Sequence, residues 1–372
     1  YREKLLKFSS SSKKFIPHFP KSLRILHVTN FNERHDGRLF FNTGRRLNNG
    51  FIRLGHSVLE FSDRDIVKHY KSIKDYTGSK TLNEKLINTV YNYKPDLLIF
   101  GHADLIKDST LAYLKENYKN LRIAQWFLDP LIKDGPDYEK NKSRILDKIK
   151  YTDANFITTS PDVLNFLPKK KLCLFMPNPT DPSFEVLNNY ENNHCSMDVF
   201  FALSHGVHRG ILKKGKYDER TDFVNRLVEI TPNIKFDLYG INNIQPIWAD
   251  SFLKSLSNAK MGVNLSRGEP IKYYSSDRIT QLIGNGLLTF IHSNTHYNNF
   301  FSDDEVIFYS NISGLSEKIQ RFAKDDNMRK KIAERGKKKY MKYFNSTIVA
   351  DYIINNTFDI SYNKNKYMWE NK

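Results

Sequence analysis

The chain has 372 residues, 40% hydrophobic and 13% aromatic, enough apolar surface for two ordinary domain cores and too much for a disordered chain. Its two cysteines, Cys173 and Cys195, form no CxxC pair and join no His/Cys cluster at metal-ligand spacing; this excludes a disulfide framework and a structural zinc site and fits a reducing, cytoplasmic compartment. A formal charge of +17 attracts anions, but no zinc finger, RNP-type aromatic run or helix-turn-helix signature accompanies it, so the expected partner is an anionic leaflet or a phosphate-bearing substrate rather than nucleic acid.

Residues 1–22 are basic and Ser-rich with interspersed Leu and Phe, a leader that packs loosely or touches a membrane. No apolar run reaches the roughly 20 residues that cross a bilayer, so the protein is expected to be soluble or to lie on a membrane without spanning it. From Leu23 the sequence alternates between short apolar runs and helical periods. LRILHVTN is a strand, FNERHDG a polar turn, 38–54 a helix stopped by Gly55, and HSVLEFS the next strand. Helices at 82–93, 109–118 and 161–166 then alternate with strands at 95–101, 121–127, 154–160 and 171–177. This fills one doubly wound parallel-sheet domain, 23–180. The Pro- and Asn-rich stretch 181–196 has no apolar period and reads as a linker.

A second alternation occupies 197–345. Its strands are expected at 197–203, 234–240, 261–266, 287–292 and 305–310, and its helices at 218–230, 248–258, 277–283, 313–324 and 328–343. Residues 346–360 are apolar at helical spacing and are expected to return to the first domain, leaving 361–372 as a tail. The fold class is therefore α/β, two Rossmann-like domains facing a cleft. Neither first turn carries GxGxxG, which argues against a dehydrogenase.

Ligands of parallel sheets gather at the carboxyl ends of the strands. In the second domain those ends carry Ser204, His205, Gly206, Arg209 and Lys213 or Lys214 after the first strand, and Tyr239 with Gly240 after the second. The loop SRGEPIKYYSSDR follows the third. Ser275 and Ser276 lie at a helix start, where backbone N–H groups bind phosphate, and Arg278 adds a two-pronged donor. A diphosphate leaving group gains charge as its bond breaks, and such cations stabilise it without a metal. The lone acidic pair of DxD type, Asp63 and Asp65, follows a first-domain strand, so a divalent metal is not required. In the first domain His35 and Asp36 sit in the loop after the opening strand, and Asp129 follows a later one, as do His102 and Asp104. A His or Asp at that edge serves as general base for an acceptor hydroxyl.

The runs SSDRITQLIGNGLLTFIHSN and FFSDDEVIFYSNISGLSEKIQRFAKDDNMRKKIAERGKKKY resemble the C-terminal domain of GT-B glycosyltransferases of the CgeB-like (spore maturation protein) and group 1 type. NNGFIRLGHSV, PDLLIFG, QWFLDP, PNPTDPSFE and MDVFFAL fall upstream in that group's order, so the resemblance covers about 23–344. It implies a transferase that takes a sugar from a nucleotide sugar to a glycan, lipid-linked or protein acceptor, using no cofactor beyond that substrate. It also implies that the position three residues after Arg278 receives the ribose hydroxyls. The group usually has Glu there, and this chain has Gln281, an amide that still exchanges hydrogen bonds but without charge. Two other readings compete with it: a sugar-nucleotide epimerase of the same architecture, which makes product from donor alone, and a basic nucleic-acid-binding protein, whose retention on DNA falls steeply with salt.

Overall fold

A computed structural model describes residues 22–204, 207–208, 211–212 and 218–370, and the chain divides into two compact units. The first holds β1 (Arg24–Thr29), α1 (Thr43–Arg53), β2 (Ser57–Ser62), α2 (Asp63–Tyr70), α3 (Ser79–Tyr93) and β3 (Leu97–Phe100). It continues with α4 (Asp108–Asn117), β4 (Arg122–Phe127), α5 (Tyr138–Ile149), β5 (Ala154–Ile157) and β6 (Cys173–Phe175). The six strands are all parallel in the order β2-β1-β3-β4-β5-β6, with Leu26 opposite both Leu59 and Leu98. Leu97 through Phe100 are all fully buried, as a strand covered by helices on both faces requires.

Helix α1 starts later than the periodicity suggests, because Asn42 caps it by accepting the Arg45 N–H at 3.0 Å. Helices α2 and α5 are absent from the sequence reading. In α2, DRDIVKHY follows β2 with no turn residue between, and only Ile66 and Val67 are aliphatic. In α5 the apolar side chains are sparse, with Ile145 and Ile149 buried one turn apart. The helix expected at 161–166 is only a 3-10 turn, Pro161–Val163.

The second unit holds β7 (Met197–Ala202), the short antiparallel pair β8 (Val207–His208) and β9 (Ile211–Leu212), α6 (Glu219–Ile230), β10 (Phe236–Tyr239), α7 (Ala249–Ser257) and β11 (Ala259–Asn264). After these come α8 (Arg278–Gly284), β12 (Leu288–His292), β13 (Ile307–Tyr309), α9 (Ile312–Lys324) and α10 (Asp326–Tyr343). Its five-stranded sheet is parallel in the order β10-β7-β11-β12-β13. Val199, Met261, Val263, Leu288 and Phe290 on the strands pack with Leu315 and Ile319 of α9.

The last helix, α11 (Ser346–Thr357), belongs to the first unit and packs on α1. Gly50 of α1 makes this possible, since a Cβ there would stand 2.1 Å from the Ser346 carbonyl oxygen. Arg53 grips the buried Asp181 with both guanidinium prongs, and Thr180 pairs with Asn345. The stretch read as a linker is thus built into the units: Asp181 into the first, and Asn189 into the second by donating to the Leu256 and Ala259 carbonyls at 2.6 and 2.8 Å. The stretch read as a tail also packs, with Tyr367 and Trp369 buried against Tyr352 in the first unit.

Candidate functional site

In the second unit the carboxyl ends of β11, β12 and β13 and the start of α6 enclose a cavity of about 290 Å³. Glu219, Arg220, Asn264, Ser266, Glu269, Tyr274, His292, Thr295 and Tyr309 are among its lining. Arg220 is not a free cation, because its Nε and Nη2 clasp Asp218, the α6 cap, at 2.8 and 2.7 Å. Glu219 accepts the Gly268 N–H at 3.1 Å and so ties the loop after β11 to α6. The walls are mostly apolar, with Phe223, Leu265 and Pro270 between the hydroxyl, amide and carboxylate groups, and the arginine of the lining is already neutralised.

Two ring groups of this cavity have perturbed titration. His292 ends β12, half-buried and edge-on to Tyr309 at 5.2 Å; burial lowers its pKa, opposed by a Ser310 backbone hydrogen bond and the Glu269 charge. The Tyr309 hydroxyl is buried and has no hydrogen-bond partner among the described residues, and burial raises its pKa well above the ordinary tyrosine value. An unmade hydrogen bond at a buried hydroxyl costs about 1–3 kcal/mol, so a ligand group that met it would recover that loss.

The sequence-predicted residues at the start of α8 are joined to the wall of this cavity. The Ser275 hydroxyl bonds to the Asn264 side chain at 2.9–3.1 Å, and the Ser276 N–H donates to Ser266 Oγ at 2.9 Å. Arg278 spans two strand ends: Nη1 donates to the Leu265 carbonyl at 2.5 Å, Nη2 to the Ala202 carbonyl at 2.9 Å, and the guanidinium lies 4.8 Å over the Phe201 ring. Burial, then the nearby Arg220 charge, pull its pKa below the ordinary arginine value, yet a guanidinium stays charged at neutral pH. Gln281 donates to the Asp277 carboxylate at 3.3 Å, so a Glu here would set a second carboxylate against the first.

Ser204 is exposed at the end of β7, and Tyr239 and Gly240 end the neighbouring β10. The Tyr239 ring packs on Phe200 and its hydroxyl meets Ser255 Oγ at 3.0 Å. Gly240 has φ +71°, and a Cβ there would lie 2.0 Å from the Leu203 oxygen, so only glycine fits the turn. Ser204, Tyr239, Gly240, Ser275, Ser276, Arg278 and Gln281 thus share one edge of one sheet, while His205, Gly206, Arg209, Lys213 and Lys214 lie outside the described residues. The sequence reading missed Glu219, Glu269, His292 and Tyr309. His292 and Glu269 stand at or just beyond the carboxyl ends of strands, where the same positional rule would have found them.

In the first unit the His35 and Asp36 loop is held from below by Asp65 of α2, whose carboxylate accepts the Glu33 N–H at 2.8 Å and pairs with Arg34 at 2.7 Å. Asp36 is exposed, and His35 Nδ1 lies 3.1 Å from Arg38 Nη2. Burial, with the charges of Arg34 and Arg38, lowers the pKa of His35. Asp129 lies two strands away in the sheet, after β4. There Arg144 Nη1 approaches it at 3.2 Å and His102 Nε2 at 3.5 Å, and Arg144 Nη2 reaches on to Asp104 at 2.8 Å. Burial lowers the His102 pKa against the opposing pull of Asp129.

Residues 220–355 match the glycosyl transferase-like family. No curated protein matches the chain in sequence. In structure it is similar to sucrose-phosphate synthase from Thermosynechococcus elongatus, at 11% identity and a TM-score of 0.62, covering 91% of this chain and 100% of that one. It is also similar to Anabaena HepE in complex with UDP-glucose, at 10% identity and 0.57 over 91% and 100%. A glycosyltransferase from Rickettsia africae matches at 12% and 0.56 over 91% and 99%. The fold is GT-B, two parallel-sheet α/β units. The glycosyl transferase-like segment contains the start of α8, Gln281, Arg220 and every cavity residue beyond it.

Proposed function

We propose that this protein is a glycosyltransferase whose nucleotide-sugar donor binds at the carboxyl edge of the second sheet. One observation carries the reading: a cavity with mostly apolar walls, Phe223, Leu265 and Pro270 among them, into which a few polar groups converge, stands beside the Arg278 guanidinium, and its Tyr309 hydroxyl is buried with no partner among the described residues. The few convergent polar groups suit sugar hydroxyls, the apolar walls suit the faces of a sugar ring, and the cation suits the diphosphate. At about 290 Å³ the cavity is near the lower end of small-molecule sites, about 300–1,000 Å³, the size class of a monosaccharide rather than of a whole nucleotide.

Ser204, His205, Arg209, Lys213, Ser275, Ser276 and Arg278 supply the phosphate contacts in this reading, Tyr239 and Gly240 the base contact, and Gln281 the ribose contact. The acceptor's proton goes to His35, Asp36 or Asp129. The chemistry needs no metal, the compartment is cytoplasmic, and the acceptor is a surface glycan, a lipid-linked saccharide or a protein, with the basic chain held at an anionic inner leaflet. HepE was solved with UDP and with UDP-glucose, which makes UDP the first donor base to try. The order of the motifs in 275–340 supports the finer CgeB-like assignment.

A melting-temperature screen against UDP, GDP, dTDP and CMP sugars tests the reading, because a ligand that binds only the native state raises stability by mass action. One nucleotide sugar is expected to raise the midpoint, and Arg278→Ala to weaken that binding by about 1.5–3 kcal/mol. No shift with any of them, in a chain that melts cooperatively, would overturn the proposal. Product from donor alone would favour the epimerase.

A further inference from the structure

The loop between α2 and α3 of the first unit holds an isoleucine entirely in water. Ile73 is 102% exposed and Tyr76 is 86% exposed, the two highest values among the exposed large hydrophobic residues described. The loop has a built shape. Ser72 and Asp75 exchange backbone hydrogen bonds at 3.2 Å, the Gly78 N–H donates to the Asp75 carbonyl at 2.9 Å, and the Asp75 carboxylate accepts the Thr81 N–H at 2.7 Å. Gly78 has φ +71°, with space for a Cβ closed by the Val67 carbonyl at 2.7 Å, so the turn is fixed against the end of α2. A turn this well tied could bury its tip or carry a polar residue there, yet it presents an aliphatic side chain.

The charge around the tip is predominantly basic. Between residues 68 and 80 stand Lys68, Lys71, Lys74 and Lys80, against the single acid Asp75, whose carboxylate is turned inward on Thr81. Lys80 is shared with Glu84 at 3.9 Å, while Lys68, Lys71 and Lys74 stand nearer the tip, and Lys85 extends the basic rim with its Nζ 4.2 Å over the Tyr70 ring. An apolar tip ringed by lysines and flanked by tyrosine matches the boundary layer of a bilayer, where aliphatic groups enter the acyl region, tyrosine rings sit at headgroup depth and ammonium groups meet lipid phosphates. Nucleic acid would engage the lysines but offers Ile73 no apolar phase.

We propose that the loop around Ile73 and Tyr76 is a membrane-docking tip that inserts into the interface of a bilayer rich in anionic phospholipid. This names the surface for the membrane association proposed above and does not depend on donor binding.

The test uses the full chain carrying Ile73→Cys labelled with an environment-sensitive fluorophore, the half-buried Cys173 and Cys195 replaced by serine. It is mixed with vesicles of phosphatidylglycerol in phosphatidylcholine, with phosphatidylcholine alone, and with duplex DNA. The expected result is a blue shift and flotation with the anionic vesicles only, lost at high salt, and binding weakened roughly tenfold or more by Lys71→Glu with Lys74→Glu. Ile73→Ser should weaken flotation while leaving the salt dependence. Four outcomes would overturn the proposal: no flotation, equal binding to neutral vesicles, a fluorophore that stays in water on bound vesicles, or a shift with DNA alone. Melting shifts with UDP sugars, measured on the same variants, report the donor site separately, so either reading can fail while the other stands.

Discussion

The decisive side chains are those whose polar atoms are held without full satisfaction. Tyr309 buries a hydroxyl with no partner among the described residues. Tyr309→Phe is therefore expected to leave thermal stability unchanged or to raise it by about 1 kcal/mol, while weakening binding of a UDP sugar relative to UDP alone by a similar amount. Calorimetric titration of both ligands checks this; equal losses for UDP and UDP sugar would put the hydroxyl outside the sugar's reach. Arg278 stands in the opposite condition, with its two terminal nitrogens donating to the carbonyls of Leu265 and Ala202. Lysine brings one nitrogen where the guanidinium places two, each facing its own carbonyl, so Arg278→Lys should cost about 1–3 kcal/mol of folding stability with the charge preserved, read from denaturant midpoints. In the first unit the choice of acceptor base is tested with His35→Ala, Asp36→Asn and Asp129→Asn, following turnover and donor affinity together. The base lowers turnover by about 10²–10⁴ with donor affinity intact. Arg144 and His102 crowd Asp129. The exposed Asp36, in contrast, has no such pairing among the described residues, in the loop braced by Asp65.

At the scale of elements, close approach is set by glycine. Helix α11 lies on α1 because Gly50 leaves room for the Ser346 carbonyl. Gly50→Ala should destabilise the first unit by about 1–3 kcal/mol through overpacking, although alanine is the better helix former, and the α11 amides should lose hydrogen-exchange protection. Unchanged protection would mean that the contact tolerates a methyl group. Most strands were legible in the sequence because buried parallel strands are continuous apolar runs, as in LLIF of β3. Helices α2 and α5 were not, because charged residues dominate them and few positions face the core. Missing α2 also hides how the His35 loop is held, since the Asp65 carboxylate of this helix accepts the Glu33 and Arg34 N–H groups.

For the molecule as a whole, two buried histidines of the first unit link stability to pH. His27 is wedged between Trp126 Nε1, which donates to its Nε2 at 3.1 Å, and Asn48 at 3.3 Å. Burial lowers its pKa to about 4, and burial does the same for His56. The unfolded chain takes up these protons near pH 6.5 and the folded chain does not, so stability contributed above pH 6.5 is lost progressively as pH falls toward 4. Each histidine accounts for on the order of 3 kcal/mol. The melting midpoint should therefore fall steeply between these pH values, and His56→Gln should flatten the slope; an unchanged slope would show that His56 does not titrate in this window.

The sequence by itself determined the parallel α/β alternation and the positions of the strand ends, because hydrophobic period and glycine stops act locally along the chain. It also supplied Arg278 and Ser276 as candidates, since a helix start is legible from its own residues. Tertiary structure decided the rest. Glu219, Glu269, His292 and Tyr309 come from four different elements and loops, and only the ordering β10-β7-β11-β12-β13 brings three strand ends and the start of α6 around one cavity. Likewise Asp181 reads as a linker residue until Arg53, 128 positions away, is folded against it. A pairing across that distance follows from the packing of α11 on α1 and leaves no mark on the local pattern.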